Sequence, residues 1–137
     1  MTRFSTRWLA EPVPLLEHRP RFVWLAPGIE LAGFGTAVNF PPTTGVDRFN
    51  ELERKHRSYL ETCEVEDETG LAAAGPVLFA SMTFSADSHG SRAAIPSMLA
   101  GHVDGRWFVT TIDGADPTWL YHPAGSAPVE SARPRYA

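Results

Sequence analysis

Cysteine is almost absent from this chain. Cys63 is the only one in 137 residues, which excludes an intrachain disulfide and any Cys-rich zinc site. A reducing cytoplasm is the compartment that this implies. Lysine is as scarce: eleven of the twelve basic residues are arginine, and Lys55 stands alone. A mechanism that needs a lysine base therefore has one candidate. No apolar run approaches the roughly 18 residues of a membrane span. The net charge of -4 removes the electrostatic case for nucleic acid or an anionic membrane. The opening stretch, MTRFSTRWLAEPVPLL, breaks its apolar run at Glu11, Pro12 and Pro14, which argues against a signal peptide.

What is present suits one globular domain. A hydrophobic fraction of 43% over 137 residues is enough to bury a real core. Residues 1–20, rich in proline, read as an extended lead-in. Arg21 to Leu25 is a short aromatic and β-branched run closed by Pro27-Gly28, a strand and a turn. Ile29 to Phe40 reads as a second strand. Its internal Gly33 and Gly35 suggest a bulge or a close backbone approach. Pro41-Pro42 ends it.

The one convincing helix runs from about 46 to 64. Phe49, Leu52, His56, Tyr59, Leu60 and Cys63 recur at spacings of three and four and so share a face. Asp47, with Thr43 or Thr44 before it, supplies capping. Val77 to Phe84 alternates as a strand. Ser91 to Val103 contains another, which Pro96 breaks and assigns to a sheet edge. Asp104-Gly105 is a hairpin turn leading into the strong strand Arg106 to Ile112. Thr118 to His122 is expected to pair as a further strand, and 123–137 reads as a linker. The fold class is α+β, with a largely antiparallel sheet and one main amphipathic helix. The folded unit is expected over 21–122.

The residues offer little chemistry. Gly33-x-Gly35 lacks the third glycine of a dinucleotide fingerprint, since position 38 is Val38, and no helix follows. His18, His56, His89, His102 and His122 show no metal-ligand spacing. His56, toward the apolar helix face, reads as a buried, hydrogen-bonded histidine. Asp87-Ser88-His89 places three triad residue types in a row, but adjacent side chains diverge and triads are assembled from distant segments. Glu61, Glu64, Glu66, Asp67 and Glu68 lack the pattern of a calcium loop and read as a solvated helix end. Trp8, Trp24, Trp107 and Trp119 read as core or half-buried packing. No basic stripe accompanies them, which speaks against single-stranded nucleic acid.

A family resemblance adds to this. Phe22-x-Trp24 with Pro27 is followed by Leu31-Ala32-Gly33-x-Gly35-x-Ala37. Then come Gly75-Pro76, Phe79, Phe84, Pro96, Gly105-Arg106-Trp107-x-Val109-Thr110-Thr111 and Arg135-Tyr136. In this order the landmarks resemble the N-terminal part of isochorismate synthases, in the chorismate-utilising enzyme family. Ala80 and Ser85 depart from the pattern, where a glycine and an acidic residue are common. Leu15-Leu16-Glu17 is similar to the tryptophan-binding stretch of anthranilate synthases, and packing or chance accounts for it better.

The resemblance implies magnesium-dependent isomerisation of chorismate to isochorismate, for menaquinone or for siderophore and salicylate synthesis. In the family a lysine activates water, a glutamate protonates the departing hydroxyl, and further glutamates hold the metal. A hard cation wants carboxylate ligands, and a near-neutral base must be a perturbed lysine. All of these lie beyond the position matching Tyr136, and Lys55 matches none of them. The expectation is therefore an N-terminal scaffold that is inactive alone, with 123–137 leading toward a catalytic half that this sequence does not contain. No catalytic, cofactor-binding or metal residue is assigned. The implied partner is that half or a homologous chain. A different class of function stays open: a non-catalytic subunit or binding domain that docks through an exposed sheet surface. An independent small-ligand domain would need a closed pocket.

Overall fold

The computed structural model describes residues 1–41, 43, 45–81, 92–122 and 135–136. In chain order the elements are β1 (Arg3–Leu9), β2 (Phe22–Ala26), β3 (Ile29–Phe34), β4 (Val38–Phe40), α1 (Arg48–Leu60), β5 (Glu64–Asp67), β6 (Phe79–Ser81), β7 (Arg92–Ile95), β8 (Met98–Val103), β9 (Arg106–Ile112) and β10 (Arg135–Tyr136). One sheet has the order β2-β3-β8-β9-β1-β5 and the other β10-β4-β7-β6. Among the described residues only β1 with β5 and β10 with β4 pair in parallel. This is the α+β, largely antiparallel class that the sequence suggests. No helix among the described residues is long and apolar enough to cross a membrane.

Two bent strands, β3 into β4 and β7 into β8, join the sheets. β3 runs antiparallel to β8 in the first sheet, and their continuations β4 and β7 run antiparallel in the second. Sequence periodicity expects one strand over Ile29 to Phe40, and the chain instead turns a corner in the middle. At the corner Gly35, Thr36 and Ala37 on one side face Pro96 and Ser97 on the other. This extra residue bends the ladder as a bulge does. Gly35 takes φ +66°, where a side chain would be strained. At Gly33 a Cβ would come within 2.9 Å of the Pro96 ring, so this glycine serves close backbone approach. The Ala37 N–H donates to the Ile95 carbonyl at 2.8 Å and closes the bend. Pro96 therefore does not mark an edge. β8 lies between β3 and β9, and β7 between β4 and β6. The proline is tolerated because it occupies the corner between two ladders.

Strand alternation sorts the core onto the two faces of the larger sheet. Ala32, Phe34, Met98, Ala100 and Val109 face one way, under Val13, Leu15 and Leu120. Leu31, Leu99 and Phe108 face the other way, toward Val77 and Phe79. Phe4, Val38, Phe40, Ile95 and Leu52 of α1 form a third cluster. Phe108 has room only because its neighbour on β8 is Gly101. A Cβ there would lie 2.6 Å from the Phe108 ring.

Further expectations change. Residues 1–20 are more than a lead-in, because β1 lies between β9 and β5 and buries Phe4 and Thr6. Thr118 to His122 is not a strand: Thr118–Tyr121 forms a 3-10 helix. Pro117 precedes it, and the Asp116 carboxylate accepts the Thr118 N–H at 2.9 Å, a local bond that favours a turn over a ladder. The main helix spans Arg48–Leu60 rather than 46–64, since the N–H groups of Thr62 and Cys63 turn back onto Tyr59 and Leu60 before β5 begins. Asp47 makes no side-chain cap bond. Thr43 instead donates its hydroxyl to the Arg48 carbonyl at 2.9 Å. On the apolar face Leu52 is buried and Tyr59 and Cys63 pack beside it, but Phe49 is exposed beneath the Arg48 guanidinium, 4.5 Å from its ring centroid. Thr44, Met82 to Phe84 and 123–134 lie outside the described residues.

Candidate functional site

β2 carries Phe22-Val23-Trp24-Leu25-Ala26, with no polar residue to make a wet face. Continuous apolar strands are ordinarily covered on both sides, yet among the described residues β2 is the edge of its sheet. Phe22 turns inward and stacks on Phe79 of β6, with ring centroids 5.3 Å apart. The next three residues stay in solvent: Val23 is 43% exposed, Trp24 58% and Leu25 60%. Beside them a groove of about 820 Å³ opens between the β2–β3 end of one sheet and β6–β7 of the other. Trp24, Leu31, Val77 and Phe79 contribute its apolar walls. Among the described residues, Arg21 and Arg92 are the only charged ones lining it.

The opposite edge of the sheet has the reverse chemistry. β5 carries Glu64, Glu66 and Asp67, followed by Glu68, all exposed. Of the acidic group, Glu61 alone caps the helix, while Glu64, Glu66 and Asp67 belong to a strand. Arg3 reaches Glu64 at 3.0 Å and Glu66 at 4.0 Å. The hydrogen bond to Glu64 and the Glu66 charge raise the Arg3 pKa. The Glu68 carboxylate accepts the Trp8 N–H at 3.1 Å. For Asp67 the penalty of burial raises the pKa, but bonds from the Thr69 hydroxyl and N–H outweigh it and hold the group below the ordinary carboxylate range. Asp116 is lowered too, by the N–H and then the hydroxyl of Thr118.

The described histidines do not converge. His18 is buried, donates Nε2–H to the Leu120 carbonyl at 2.9 Å and sits edge-on to Phe34 and Trp119. It pins the 3-10 helix Leu15–His18 to the one at Thr118–Tyr121, so the Leu15-Leu16-Glu17-His18 stretch serves packing. His56 is half-buried and donates to the Pro76 carbonyl at 3.0 Å, the structural role its position suggests. His102 stacks on Trp107 at 4.4 Å, and His122 is exposed. Asp87-Ser88-His89 lies outside the described residues. Among the described residues no group of three His, Cys, Asp or Glu side chains is gathered to hold a metal.

Three of the four tryptophans are half-buried, as expected. Trp8 lies under the Arg106 guanidinium at 3.5 Å, and Trp107 and Trp119 pack on the core. Trp24 is the exception, and with it the arginines at 21 and 92 escape sequence reasoning. The signal was the missing alternation in Phe22 to Ala26, which asks for cover that the fold does not supply. The surface so assembled can bind apolar chains and extended backbone; its described residues offer no nucleophile with an adjacent base. No protein-family model, curated protein or solved structure matches the chain.

Proposed function

We propose that this chain is the scaffold module of an isochorismate synthase-type enzyme, working in the cytoplasm. It docks onto a catalytic unit that isomerises chorismate with magnesium, and it supplies no catalytic group of its own. The observation that carries this reading is the row Val23, Trp24 and Leu25, consecutive large apolar side chains in solvent on an edge strand beside an apolar groove. Exposed apolar patches of this kind mark interaction sites. Covering three half-exposed side chains is worth on the order of 3 kcal/mol. Phe22-x-Trp24, one of the landmarks of the family resemblance, lies on this same edge.

The test is reconstitution. The purified chain with chorismate and magnesium should form no isochorismate. Mixed with the catalytic portion of an isochorismate synthase, it should co-elute in size-exclusion chromatography and raise isochorismate formation. Trp24→Lys should lose both effects. Turnover by the chain alone would overturn the reading, as would a catalytic portion that neither co-elutes nor gains activity.

A further inference from the structure

We propose that β2 also pairs, antiparallel and about a two-fold axis, with β2 of a second copy of this chain. This goes beyond the docking reading, because it names an occupant that needs no catalytic unit. Edge strands present unpaired backbone groups, and native proteins usually blunt them with charge, proline or a bulge. The two edges of the six-stranded sheet differ in this respect. On β5, Glu64, Glu66 and Asp67 would set like charges opposite one another in any self-pairing. β2 has five uncharged residues and no strand on its outer side among the described residues.

The sequence of β2 is also complementary to itself in one register. An antiparallel pair centred on Trp24 sets Trp24 against Trp24 of the second copy. Val23 then lies opposite Leu25, and Phe22 opposite Ala26, so the largest residue meets the smallest. Aromatic pairs across strands are among the favourable ones. The charges agree with this direction. Arg21 flanks the start of β2, while Glu30 of β3 stands beside Leu25 near its end. Reversing the second copy brings each exposed Arg21 toward the other copy's Glu30 end, whereas a parallel arrangement would set arginine beside arginine. The dimer so formed has a continuous sheet through both copies and closes on itself, because an isologous contact uses the same edge twice. A catalytic unit bound at β2 would exclude it.

Sedimentation of the 137-residue chain across the micromolar range should show a reversible monomer–dimer equilibrium. Trp24→Lys should be monomeric throughout while keeping the circular dichroism of the parent, and its melting temperature where the parent is diluted to monomer, since Trp24 is more than half exposed. A second measurement fixes the register. Residues paired across antiparallel strands have Cα atoms about 4.5 or 5.5 Å apart, within the span of a disulfide. In a Cys63→Ser background, Trp24→Cys should oxidise to a covalent dimer, whereas Val65→Cys, on the acidic edge and also exposed, should not. A chain that remains monomeric at all concentrations overturns the proposal. So does a dimer that survives Trp24→Lys, or cross-linking at position 65 and not at 24. A monomeric chain can still pass the reconstitution test, so the two readings fail separately.

Discussion

The hydroxyls of Thr6 and Thr110 meet at 2.6 Å across the β1–β9 ladder, both buried. The Thr110 oxygen also accepts the Gly75 N–H at 3.0 Å. One side chain thus ties the first strand and the loop before β6 to the centre of the sheet. Thr110→Val keeps the shape and strands the Gly75 donor, and should cost about 1–3 kcal/mol. Thr6→Val leaves that donor satisfied and should cost less, about 1 kcal/mol. Urea unfolding of both variants checks the order.

Gly101 and Phe108 form a second coupled pair. Gly101→Ala would bring a methyl group within 2.6 Å of the Phe108 ring and 2.8 Å of Leu31. Overpacking of this kind should cost about 1–3 kcal/mol. Adding Phe108→Leu should return part of the loss, so the double variant should be more stable than the two single changes summed. A double-mutant cycle by chemical denaturation measures this; strict additivity would refute the steric account.

Asp67 and Asp116 set a dependence on acid. Both carboxyls are held below their ordinary pKa by hydrogen bonds from Thr69 and Thr118. A group lowered in the folded state adds stability above its unfolded pKa, and that stability is lost as pH falls through the folded value. The loss therefore belongs to the acid side of about pH 4. The urea midpoint should decline there, and less steeply in Asp67→Asn with Asp116→Asn. Both groups are solvent-facing, so the difference should be small.

Trp24 should dominate the quenchable fluorescence. It is 58% exposed, while Trp8, Trp107 and Trp119 are half-buried. Trp24→Phe should remove most of the acrylamide-sensitive emission and shift the remaining spectrum to the blue. Unchanged quenching in that variant would mean that another tryptophan faces solvent.

Much of the fold was legible because periodicity and turn chemistry are local. The hairpin at Asp104-Gly105 and the core of the helix are written in adjacent residues. The corner at Gly35 and Pro96 was half legible. Both residues announce a break, but whether a broken strand lies at an edge or passes between sheets depends on partners sixty residues away. β1 was hidden for a similar reason: Arg3 to Leu9 alternates only weakly, and its burial comes from β9 and β5. The docking edge was harder still. Five apolar residues in a row look like a buried strand, and only the sheet order shows that β2 has one neighbour among the described residues.

The position of β1 has a consequence for the way the chain folds as it is synthesised. Of the six strands in its sheet it is made first, yet its two neighbours are residues 64–67 and 106–112. Until β9 is made this strand lacks its central partner, and the six-stranded sheet closes only once β9 has been added. Pairings so distant in sequence are slow to form and leave apolar surface open meanwhile. Assembly of this sheet is therefore a late, concerted event, timed by the arrival of β9.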